Sequence, residues 1–148
     1  MAELIRLPDV AMASLRVPTG SKHGLPPIGH STLQGPDRLV AIGPDEWLAI
    51  GPDSNATSQL ERMGSFASVY VDVSGNRACY RASGNDVAWF LSAGISYDLD
   101  QLQPNDAIST TMARAQVVLI MEAADQFLLL PRRSFAQYIE TWAANALM

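Results

Sequence analysis

Five side chains and a repeated tripeptide are the places in this sequence where chemistry could sit. His23 and His30 are spaced seven apart in a segment rich in Pro and Gly. Two imidazoles could hold a metal only with a further ligand, and no carboxylate is spaced to join them. Cys79 lies in the alternating run RACYRAS. A thiol nucleophile needs a base within hydrogen-bond reach, and none is near in sequence, so Cys79 reads as a small buried apolar residue. Asp98 and Asp100, in YDLDQL, could pair for acid–base work; a solvated loop or a helix cap is the simpler reading. The triplet Gly-Pro-Asp comes at 35–37, 43–45 and 51–53. It cannot cradle phosphate, because each copy has one Gly and its Pro lacks a backbone donor. With no GxGxxG, P-loop or GxSxG segment either, the expectation is no catalytic, cofactor-binding or metal-binding residue on this chain.

Charge gives a second set of candidates. Asp72 precedes a Ser-Gly-Asn turn, and Arg77 and Arg81 follow it. Across a two-stranded ladder they would form a charged cluster on one sheet face. Arg132 and Arg133 stand just before the last helical segment, where positive charge opposes the helix dipole. Local helix physics gives no reason for two arginines there, whereas an acidic partner would. Asp72, Arg77, Arg81, Arg132 and Arg133 are therefore the candidate partner-contact residues.

The 148 residues suffice for one core and carry a net charge of −5, with a single lysine, Lys22. That balance argues against nucleic acid as a partner. One cysteine excludes an internal disulfide framework. The start MAELIRLPDVAMA lacks the basic and apolar regions of a signal peptide, and apolar runs such as VVLIM (117–121) are far short of a bilayer span. The expectation is a cytoplasmic chain without a membrane segment.

Periodicity supplies the elements that must position these residues. Residues 1–36 hold five of the nine prolines and no sustained period, so they read as an extended N-terminal arm in which 4–7 and 13–17 could add as edge strands. Residues 37–148 read as a single α+β domain. RLVAI (38–42) and EWLAI (46–50) are strands joined by the second Gly-Pro-Asp turn, and 53–64 has helical spacing. The runs 66–74 and 77–83 alternate and read as a hairpin. A short helix follows, opened by the capping-box spacing of Ser83 to Asp86 and ended by Gly94. Strands at 106–113, 116–123 and 126–130 precede a last helix from Ser134, with Phe135, Tyr138, Ile139, Trp142 and Ala146 inward. The order suggests an antiparallel sheet with helices, a ferredoxin-like α+β sandwich.

Three blocks together carry a family resemblance: WLAIGPD (47–53), VYVDVSGNRACYRASGNDVAWFLSAGISYDLDQL (69–102) and FLLLPRRSFAQYIETWAANAL (127–147). In order and spacing they resemble the gamma subunit of heterotetrameric sarcosine oxidase. The V-D-S hairpin followed by a G-x-x-a-x-x-F-L helix (a, apolar) also resembles, more distantly, the folate-binding aminomethyltransferase superfamily. The Ser-Gly-Asn turn departs from the bulkier turn expected there, and the arm offers no matching block. The resemblance implies an accessory chain without catalytic groups, in complex with alpha, beta and delta subunits. FAD, FMN, NAD and tetrahydrofolate would then belong to those partners. The complex would oxidise sarcosine, or a related N-methyl amine, to glycine, hydrogen peroxide and a one-carbon unit. An isolated copy would expose its binding surface and self-associate through it. The alternative is a stand-alone folate- or one-carbon-binding protein of the aminomethyltransferase superfamily.

Overall fold

The computed structural model describes residues 1–8, 10–16, 25–51 and 69–148. The helix expected over 53–64 lies outside these residues, as does His23. The chain divides into two compact units, Met1–Pro8 with Asn76–Met148, and Asp9–Gly75. The stretch 1–36, expected as one arm, is split between them and contains three strands.

The first unit is a five-stranded antiparallel sheet. Its strands are β1 (Glu3–Leu7), β7 (Cys79–Ser83), β8 (Ala107–Met112), β9 (Ala115–Ala123) and β10 (Gln126–Pro131), in the order β1-β7-β10-β9-β8. The hairpin expected between 106–113 and 116–123 forms as β8–β9, and the further strand expected at 126–130 pairs with β9 as β10. β1 is an edge strand, pairing Leu4 with Ala82 and Leu7 with Cys79. Helices α1 (Val87–Ser92) and α2 (Ala136–Ala146) share one core with Tyr80, Leu119, Phe127 and Leu129 of the sheet. The opposite face carries Cys79, Val118, Ile120, Leu128 and Leu130, all buried as well. Burial on both faces explains why β9 and β10 read as unbroken apolar runs.

Two helix expectations need correction. α1 forms, but Asp86 at its N-cap makes no side-chain cap bond. On α2 the buried residues are Ala136, Ile139 and Ala143. Phe135 and Tyr138, expected inward, are exposed and meet each other edge-on, while Trp142 is half-buried against Phe90 with ring centroids 5.6 Å apart. Small side chains let a helix approach a sheet closely, so alanines take the innermost line and the bulky rings flank it.

The second unit is another five-stranded antiparallel sheet. It contains β2 (Met12–Arg16), β3 (Ser31–Gln34), β4 (Asp37–Gly43), β5 (Glu46–Ile50) and β6 (Val69–Asp72), in the order β3-β4-β5-β2-β6. Ala13, Leu15, Leu39, Ala41, Trp47 and Ala49 form its core cluster. The indole N–H of Trp47 donates to the Pro26 carbonyl at 2.9 Å. The hairpin expected between 66–74 and 77–83 does not form. β6 pairs with β2, and β7 pairs with β1 and β10 in the other sheet. Alternation identified both strands; it holds no information about which strand lies beside them.

The first Gly-Pro-Asp triplet closes β3 to β4, since Gln34 pairs with Asp37. The second closes β4 to β5, with Gly43 opposite Glu46. Gly51, the glycine of the third, adopts φ 137° against the first triplet. A Cβ there would lie 2.9 Å from Asp37 Cα and 3.0 Å from the Pro36 carbonyl oxygen. Gly51→Ala is therefore expected to destabilise the protein by about 2–4 kcal/mol in urea unfolding, through backbone strain and overpacking. Gly75→Ala, where nothing lies within 4 Å, should cost far less. Equal costs would show that the approach to Asp37 does not matter.

Candidate functional site

The five candidate contact residues do not form one cluster. Asp72 ends β6, where its Oδ1 accepts the Ser74 hydroxyl at 2.7 Å and the Ser74 backbone N–H at 2.9 Å. Those two bonds hold its carboxyl below the usual range, the hydroxyl contributing most. The Ser74 hydroxyl oxygen in turn accepts from the Met12 amide at 3.0 Å. Asp72 thus closes a local turn in the second unit, whereas Arg77 and Arg81 belong to the first. The expected cross-hairpin cluster of these three is corrected for the same reason as the hairpin.

Arg81 makes a two-pronged contact with Glu122. Its Nε donates at 2.9 Å and its Nη2 at 3.2 Å, one to each carboxylate oxygen. Gln126 Nε2 also donates to Glu122 at 3.0 Å. The hydrogen bond to Glu122, more than any other cause, pushes the Arg81 guanidinium still higher. Glu122 gave no signal in the sequence, because its pairing crosses from β7 over β10 to β9.

Arg77 and Arg132 are brought together. They face each other in an isolated antiparallel bridge, just beyond the ends of β7 and β10. Directly opposed residues point to the same face of a ladder, and like charges so placed repel. The Arg133 amide donates to the Asn76 carbonyl at 2.9 Å, which ties the second arginine of the pair to the same corner. Arg77 Nη1 donates to the Leu130 carbonyl at 3.0 Å. Arg132 and Arg133 are exposed and precede α2 by one turn of 3-10 helix, Arg133–Phe135.

Asp98 and Tyr80 have structural partners, and Cys79 is buried. Asp98 caps the 3-10 turn Leu99–Gln101 by accepting the Asp100 amide at 3.1 Å. The Tyr80 hydroxyl donates to Glu140 at 2.7 Å, and burial together with that carboxylate raises its pKa. Burial pushes the Cys79 thiol from 9.0 up to about 11. Among the described residues no three His, Cys, Asp or Glu are placed to hold a metal ion, and no helix is long and apolar enough to cross a membrane.

A small cavity of about 190 Å³ is lined by Arg77, Ser109, Thr110, Thr111, Gln116, Val117 and Val118. Its hydroxyls come from β8, at the sheet edge. Ser109 and Thr111 alternate onto one face of β8.

Among the described residues, antiparallel β-sheets with two α-helices define an α+β protein, and known folds narrow the class. The chain is similar to the glycine cleavage system aminomethyltransferase T of Bartonella henselae, at TM-score 0.70 and 12% identity. That match covers 96% of this chain and 45% of the other, so it shows the fold alone. A chain of the heterotetrameric sarcosine oxidase from Corynebacterium sp. U-96, solved with pyrrole 2-carboxylate, superposes at TM-score 0.85 and 25% identity. It covers 98% of this chain and 83% of that one. The model of the sarcosine oxidase, gamma subunit family matches residues 24–148. The chain belongs to that family. No curated protein matches it significantly.

The buried thiol offers a check on the geometry. A rise from 9.0 to about 11 leaves about a hundredfold less thiolate at pH 8. Iodoacetamide should modify native Cys79 at least about a hundredfold more slowly than an unfolded control, with full reactivity restored in urea. Comparable rates would show the thiol to be exposed. The sign also fixes a pH window: this contribution to stability is complete below pH 9 and is lost as pH rises toward 11.

Proposed function

We propose that this chain is a non-catalytic accessory subunit of a heterotetrameric sarcosine oxidase-like flavoenzyme. The observation that carries this reading is the gamma-subunit family match over 24–148. The likeness to a chain of a heterotetrameric sarcosine oxidase over 98% of the length supports it. In this reading alpha, beta and delta chains bear the FAD, FMN, NAD and tetrahydrofolate chemistry, and the complex converts sarcosine or a related N-methyl amine to glycine, hydrogen peroxide and a one-carbon unit. The role of this chain is mechanical. It covers surface on the catalytic chain and holds that chain's domains in register.

Arg132 and Arg133 are the contact residues this reading uses. They are exposed, and the Arg77–Arg132 bridge concentrates like charge beside them. An acidic surface on the partner would add attraction across the contact. Asp72 and Arg81, engaged by Ser74 and Glu122, would contribute their turn and strand to the contact more than free charge.

One observation favours a second reading, a stand-alone folate- or one-carbon-binding protein: the TM-score of 0.70 with an aminomethyltransferase. This chain spans less than half of that enzyme, which leaves little to enclose a pterin.

Co-expression with the candidate alpha, beta and delta chains followed by gel filtration separates the two. The wild-type chain is expected to co-elute with its partners, and R132Q/R133Q to do so at least about tenfold more weakly. Calorimetry of the isolated chain with tetrahydrofolate should show no binding. Tight folate binding without co-elution would overturn the accessory reading.

A further inference from the structure

Trp89 is a large apolar side chain that the fold leaves in water. Helix α1 buries Val87, Phe90 and Leu91 at helical spacing. Trp89 falls on the opposite side of that helix and is 70% exposed, whereas tryptophan is highly buried on average. The two other tryptophans are used by the fold: Trp47 is buried, and Trp142 meets the ring of Phe90. Among the described residues no ring stacks on Trp89 and no group accepts from its indole N–H.

The surroundings of this ring are acidic. From Ala82 to Ala113 the chain holds four aspartates, Asp86, Asp98, Asp100 and Asp106, and no lysine or arginine. Asp86, the N-cap of α1, precedes Trp89 by three residues, a spacing that makes neighbours on a helix surface. The 3-10 turn Leu99–Gln101 lies against α1, and Asp98 and Asp100 are exposed there. The Asp98 carboxylate accepts the Asp100 amide and the Gln101 side chain, and neither aspartate meets a basic group among the described residues. Asp86 faces the Met1 amine at 3.6 Å, an exposed pair of the kind that contributes little. The flanking arginines do not offset this charge locally. Arg81 is held by Glu122, and Arg114 follows Ala113, whose amide bonds the Gly94 carbonyl beyond the far end of α1.

An exposed indole ringed by carboxylates suits a cation. A guanidinium is attracted to the face of an aromatic ring, and most strongly to that of tryptophan. Its N–H groups also make charge-assisted bonds to carboxylates. An apolar partner would bury the aspartates without compensation, and a second copy of this chain would set acid against acid. We propose that Trp89 and the aspartates beside it dock a basic segment of a partner protein, with an arginine of that segment stacked on the indole. This rests on the accessory reading and adds to it a second contact, opposite in charge preference to the one at Arg132 and Arg133.

Co-expression of the full chain with the candidate alpha, beta and delta chains, followed by gel filtration at a series of concentrations and salt levels, tests it. Trp89→Ala is expected to weaken association about thirtyfold or more, as for the loss of a hot-spot tryptophan, and Trp89→Phe to weaken it less. Because Trp89 is exposed, its replacement leaves the fold intact. Asp86→Asn combined with Asp100→Asn provides an independent variant. It should weaken association about threefold to tenfold and flatten its dependence on salt. Failure of the wild-type chain to co-elute would overturn the accessory reading and this inference with it. Co-elution that Trp89→Ala leaves unchanged overturns this inference alone. The same holds if Trp89→Ala weakens association that neither salt nor the aspartate variant affects, which would mark an apolar partner surface. Dimerisation of the isolated wild-type chain that Trp89→Ala abolishes would assign the surface to a second copy and overturn the inference as well.

Discussion

The pairing of β7 between β1 and β10 is the constraint on which the first unit depends. A central strand must satisfy its backbone groups on both sides, and here one partner comes from residues 3–7 and the other from 126–131. That arrangement sends Tyr80 toward the helices and Cys79 and Arg81 to the opposite face. It also carries Arg77 to its place across from Arg132. Both ladders close over long stretches of chain. Closure over such distances costs entropy before any contact repays it. The repayment is apolar: Tyr80, Phe90, Phe127, Leu119 and Leu129 are all nearly inaccessible to water.

Charge is treated in two ways on the same sheet. Arg81 finds Glu122 with good two-pronged geometry, and a pair of that kind is a local structural tie. Arg77 and Arg132 meet each other, which is unfavourable in isolation. In the second unit the polar groups turn inward. Asp37, Arg38 and Ser31 are buried, with Arg38 Nη1 donating to Ser31 at 2.8 Å, beneath hairpins that the Gly-Pro-Asp triplets close.

The family resemblance rested on three sequence blocks, and the match over 24–148 supports it. The candidate site was only partly legible. Arg132 and Arg133 stood out because local helix electrostatics could not explain them, and they are exposed at the entrance to α2. Arg77 was singled out for the wrong neighbour: its partner across the ladder is Arg132 and not Asp72. Ser109, Thr111 and Gln116 carried no mark of their own, since hydroxyls on an edge strand are common.

What the sequence determined by itself was local. Alternation located β6 and β7, apolar runs marked β9 and β10, and Gly-Pro-Asp signalled tight turns, because side-chain period and backbone φ are set within a few residues. The helices at 87–92 and 136–146 were legible for the same reason. The tertiary structure decided which strands are neighbours, which face of α2 turns inward, and where each charge finds its partner. Alternation states that a strand has a buried face but not what covers it. The choice between pairing β6 with β7 and pairing each with a strand from residues 3–16 was made by the packing of whole sheets. That same choice gave Arg81 its carboxylate and set Arg77 against Arg132.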